Sequence, residues 1–131
     1  VMWFYMGRMK AGKRQNTGSG GPTVKNSSGT EIGQFCRAWV SFSGSGTPSI
    51  NDDFNVSSIT DNGTGRFIVN YTSAMANNDY ACLMTTQAGL SAYGFGTGNN
   101  TINTGNVEVF CITNGGGLQD VSHCSVAIFG D

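Results

Sequence analysis

The chain has 131 residues, of which 15 are charged, while Gly, Asn, Ser and Thr together supply 59. That length holds one compact domain with a real core and excludes two, and the composition suits short strands joined by uncharged turns. The net charge of −1 hides an asymmetry: Arg8, Lys10, Lys13, Arg14 and Lys25 give the first 30 residues +5, and every acidic residue lies at or beyond Glu31.

Residues 1–34 show no sustained hydrophobic period and are dense in turn formers, so they read as an extended N-terminal arm or linker. The arm opens with VMWFYM. Six apolar residues fall short of the roughly 20 that span a bilayer and the roughly 7 to 15 of a signal-peptide core, so no membrane insertion is expected. They would need a surface to pack against. The leading Val reads as the start of a processed product or as one end of a longer polypeptide. Five cations without interleaved acids are a weak footprint for nucleic acid, and a solvated or neighbour-clasping arm suits them better.

From Phe35 the pattern changes. FCRAWVSFS sets Cys36, Ala38, Val40 and Phe42 against Phe35, Arg37, Trp39 and Ser41, large apolar groups on both sides, which predicts a strand covered on each face. GSGTPSINDD then reads as a loop. FNVSSIT and RFIVNYT flank DNGTG and predict a hairpin, with Phe54 and Val56 on one face and Phe67, Val69 and Tyr71 on another. Further strands are predicted at 79–86, 106–113 and 123–130. Between them QAGLSAYGFGTGNNTINTG reads as a long loop, a kind of segment that is commonly functional. No apolar stripe at helical spacing appears. The expected fold is all-β: an antiparallel, jelly-roll-like β-sandwich of about six to eight strands over 35–131, preceded by the arm 1–34.

Catalytic chemistry finds little to work with. His123 is the one histidine, and its neighbours Ser122 and Cys124 would point to the opposite strand face. Asp52 and Asp53 lack the regular oxygen ligands of a calcium loop or a second carboxylate at glycosidase spacing. Cys36, Cys82, Cys111 and Cys124 lie far apart without zinc-ligand spacing; three of them alternate with apolar strand residues, and they read as buried free thiols, with a disulfide as the alternative. The glycine-rich loops lack the Lys-Ser/Thr ending of a phosphate loop. No catalytic residue, metal or cofactor is expected. The ligand-binding candidates are Tyr93, Phe95, Asn99 and Asn100, an aromatic-plus-amide set suited to sugar stacking. Trp39 suits core or interface packing. The attachment candidates are Trp3, Phe4, Tyr5, Arg8, Lys10, Lys13 and Arg14.

The Arg-Ala-Trp-Val run at 37–40, FNVSSITDNGTG at 54–65, DYACLM and the Phe-Gly-Asp ending at 129–131 resemble the C-terminal β-sandwich domain of tail-fibre and related virion proteins of tailed bacteriophages, notably those of marine and cyanobacterial hosts. The similarity covers about half of the chain, residues 34–87 and 120–131. It implies a homotrimeric virion surface component, assembled in the bacterial host, whose tip loops meet a host-surface glycan or protein and whose arm meets other virion proteins. A capsid decoration or cement protein and a carbohydrate-binding module are the alternatives. Strands with apolar residues on both faces independently ask for more cover than one small sandwich supplies.

Overall fold

The computed structural model describes residues 23–87, 90–93 and 102–130. Its strands are β1 (Thr23–Lys25), β2 (Glu31–Gln34), β3 (Cys36–Ser43), β4 (Ser49–Phe54), β5 (Val56–Asp61), β6 (Arg66–Tyr71), β7 (Ala81–Thr86), β8 (Leu90–Tyr93), β9 (Asn106–Thr113) and β10 (Cys124–Phe129). Among the described residues there is no helix. β1 and β2 form a hairpin within the stretch expected to be arm, closed by Asn26, whose Oδ1 accepts from the Ser28 and Thr30 amides.

The other eight strands form two four-stranded antiparallel sheets. Sheet I has the order β4-β3-β10-β7 and sheet II the order β5-β6-β9-β8. β3 pairs with β10, and β6 with β9, so outer and inner strands of the sequence form nested pairs, the winding of a jelly roll. The fold is a jelly-roll-like β-sandwich.

Alternation along the strands builds the core. Ala38, Val40 and Phe42 of β3 and Val126 and Ile128 of β10 face Phe67 and Val69 of β6 and Val107 and Val109 of β9, all essentially inaccessible to solvent. Phe42 meets Phe67 edge-on across the two sheets, with ring centroids 5.3 Å apart. Gly44, just after β3, leaves room for that ring, since a Cβ there would fall 2.2 Å from Phe67.

The predicted loop 44–53 is half strand. Residues 49–54 pair with β3, and their sparse apolar content reflects an edge position. The register shifts opposite Ser41 and Phe42, so that Ile50 pairs with Phe42 toward the core while Asp52 pairs with Ser41 on the outside. Phe54 and Val56 were expected on one face and are not. Asn55 adopts φ 58°, the chain leaves sheet I there, and Phe54 ends on the outside of sheet I while Val56 enters the core from sheet II. Asn55 fastens this switch: its Nδ2 donates to the Arg37 and Ser73 carbonyls, and its Oδ1 accepts from the Ser73 amide at 2.7 Å.

The β5–β6 hairpin forms as expected, though its turn spans Asn62–Gly65, with positive φ at Gly63 and Gly65. At Gly65 a Cβ would lie 2.5 Å from the Cys111 carbonyl, so this turn is tied to β9 by close backbone approach. The predicted long loop 87–105 contains β8 and the isolated Ile102–Val107 bridge.

Candidate functional site

Trp3, Phe4, Tyr5, Arg8, Lys10, Lys13 and Arg14 lie outside the described residues, as do Phe95, Asn99 and Asn100. Tyr93 was expected in a loop. Its backbone instead closes β8, paired with Phe110 of β9.

The outer side of sheet II carries groups that sequence reasoning did not join. Glu108 is buried despite its charge, and its Oε1 accepts from Asn62 Nδ2 at 2.6 Å, Arg66 Nε at 3.0 Å and Arg66 Nη2 at 2.8 Å. The Arg66 guanidinium also lies over the Phe110 ring, 5.3 Å from its centroid. Further along β6, Asn70 Nδ2 donates to Ser58 Oγ and Thr60 Oγ1 of β5. The hairpin turn supplies Asn62 and strands β5, β6 and β9 supply the rest, so the fold itself satisfies these polar groups.

The outer side of sheet I is different. Register places Phe54 beside Trp39, Trp39 beside Ala127 and Ala127 beside Leu83, one apolar rung crossing all four strands. Phe54 is 56% exposed, Leu83 55% and Trp39 37%. The strand covered on both faces, expected for β3, is therefore bare on its Trp39 side among the described residues. The next rung, Asp52-Ser41-Ser125-Thr85, is polar. Between the two rungs a shallow groove of about 320 Å³ runs from Trp39 to Leu83. Beyond the β4 end a larger cleft of about 510 Å³ opens among Phe35, Cys36, Arg37, Phe54 and the Asn55 switch.

Nucleophile chemistry is not assembled here. His123 Nε2 lies 3.3 Å from Ser125 Oγ, the residue two positions on rather than a sequence neighbour, and no carboxylate among the described residues orients that imidazole. All four cysteines are free. Burial pushes the Cys82 thiol up to about 11, and its thiol neighbour Cys111 together with burial holds Cys124 higher still, so neither is a ready thiolate. Among the described residues no three His, Cys, Asp or Glu side chains gather as a metal site. What the described surface offers is contact area with a distinct apolar pattern. No family model, curated protein or solved structure matches the chain.

Proposed function

We propose that this chain is a structural protein of a tailed-phage virion, a tail fibre or fibre-like appendage built from three copies, whose arm joins the particle and whose loops meet the host surface. The observation that carries the reading is the apolar rung across sheet I, because a lone domain gains nothing by leaving Trp39, Phe54 and Leu83 in water, whereas a subunit does. The sequence resemblance to virion β-sandwich domains, with its Arg-Ala-Trp-Val run on the same strand β3, supports it.

Purified particles of the phage encoding the chain test this reading. Mass spectrometry of gradient-banded virions should find the chain at a copy number divisible by three, and antibody against the domain should label fibres in the electron microscope. Absence from the particles overturns the virion role. Label spread over the capsid shell would favour a decoration protein instead.

A further inference from the structure

We propose that Cys111 and Cys124 form a latent disulfide site: two buried thiols, one from each sheet, that a hydroperoxide oxidant joins into a covalent staple across the sandwich. Nothing about this site depends on what the chain is attached to. Cys111 lies on β9 of sheet II and Cys124 opens β10 of sheet I, both turned into the core and inaccessible to solvent. Cys124 pairs with Phe42, Phe42 meets Phe67 across the sheets, and Phe67 pairs with Val109, two residues before Cys111 on the same inward side of β9. Those contacts set both thiols at one end of the core.

At this end the chain itself crosses from one sheet to the other. After β9 it turns back against sheet II, held by the Ile112–Leu118 bridge and by the Gln119 amide, which donates to the Cys111 carbonyl at 3.0 Å. Asp120 then accepts from the Gly65 amide, the Val121 carbonyl accepts from the Gly44 amide, and Cys124 follows at the start of β10. The thiols are hydrogen-bonded to each other, Cys124 S–H donating to the Cys111 sulfur, and the hydroxyl of Thr86, the register partner of Cys124, also reaches Cys111. The other two cysteines are not so placed. Cys36 and Cys82 stand at the far end of β10, opposite Phe129 and Ile128, about 13 Å or more along the strand from Cys124. They also flank β10 on β3 and β7, two strand spacings or about 9.6 Å apart, beyond the roughly 7 Å between Cα atoms that a disulfide spans.

The hydrogen bond donated by Cys124 holds the Cys111 thiol below its ordinary value, which makes Cys111 the attacking sulfur. With hydrogen peroxide, the Cys111 thiolate attacks one oxygen, an S–O bond forms as the O–O bond breaks, and the departing hydroxide takes a proton to become water. Cys124 Sγ then attacks the sulfenic sulfur, its proton leaves with the hydroxyl as a second water, and the S–S bond closes. Two thiols lose two electrons and the peroxide gains them. Residues 114–120, exposed throughout and including Gly115, Gly116 and Gly117, run over this end of the sandwich. Local opening there admits an oxidant little larger than water and lets the two sulfurs draw together. The bond encloses residues 112–123, so it constrains the unfolded chain as well as tying sheet I to sheet II.

The full chain, treated in its folded state with hydrogen peroxide and then trapped with N-ethylmaleimide in urea, tests this. Two of the four thiols should no longer react, and a chymotryptic map without reductant should find peptide 111–118 joined to peptide 119–129. The melting temperature should rise by about 10 °C and return with dithiothreitol. Cys36→Ala/Cys82→Ala should keep the joined peptides, and Cys124→Ala should lose them and leave Cys111 to advance to the sulfinic acid. If a variant fails to fold, the wild-type peptide map decides alone. Four reactive thiols after treatment, an oxidised Cys111 with no joined peptide, or a joined pair other than Cys111 and Cys124 overturns the site. Joined peptides with an unchanged or lowered melting temperature overturn the staple.

Discussion

The two sheets of this sandwich share one core and end in opposite outer surfaces. Sheet II finishes its own surface: Glu108 takes three hydrogen bonds from Asn62 and Arg66, Arg66 covers Phe110, and Asn70 ties β6 to β5. Sheet I leaves Phe54, Trp39 and Leu83 uncovered. The difference teaches where the fold spends polar groups. On sheet II the charged pair lies where the chain satisfies it internally, and on sheet I the apolar side chains of the rung face outward, uncovered among the described residues.

The residue that separates the two surfaces offers the largest way to break the comparison. Asn55→Ala places a Cβ without amide in the left-handed region and removes three hydrogen bonds, a loss of about 3 kcal/mol of unfolding free energy by urea titration. Asn55→Gly keeps the conformation and should cost about half as much. Equal losses in the two variants would show that φ at this switch carries no strain.

On sheet II, Glu108→Ala strands Arg66 and Asn62 and should cost about 2 kcal/mol in the same titration while leaving the sedimented mass unchanged. An altered mass would mean that this surface belongs to an interface. Alkaline pH probes the shared core. Burial raises Cys82 from an ordinary 9 to about 11, and burial also raises Tyr80. The folded state therefore holds protons that the unfolded chain releases first, and stability is full below pH 9 and falls between pH 9 and pH 11. The melting temperature should drop by about 5 °C across that window, and less in Cys82→Ala. The smallest effect belongs to sheet I. Leu83→Ser should change the unfolding free energy of the single chain by less than about 0.5 kcal/mol, because the side chain it removes already faces water.

Strands that bury one face were legible in the sequence. β3, β6, β9 and β10 show the two-residue period because their inward residues form the core, and the β5–β6 turn announced itself through its glycines. β4 was not legible, since an edge strand with Ile50 as its one inward apolar residue shows no period, and the register shift beside it breaks what alternation remains. The switch at Asn55 was invisible for a related reason: FNVSS reads as one continuous alternation although the chain changes sheets inside it. The apolar rung could be sensed but not located. Large apolar groups on both sides of β3 asked for cover, yet Phe54, Trp39, Ala127 and Leu83 come from four strands that only the topology makes neighbours. The Glu108–Arg66–Asn62 set escaped because a lone Glu in a strand carries no signal of burial.

Trp39 sits at the middle of the disputed surface and reports on it directly. With Trp3→Phe it becomes the chain's one tryptophan, and its quenching by acrylamide measures whether the sheet I face is covered in solution. The account predicts a blue-shifted, poorly quenched Trp39 in that background, and a several-fold rise in quenching when Leu83→Glu is added. Quenching equally strong with and without Leu83→Glu, at the level of a half-exposed indole, would contradict it.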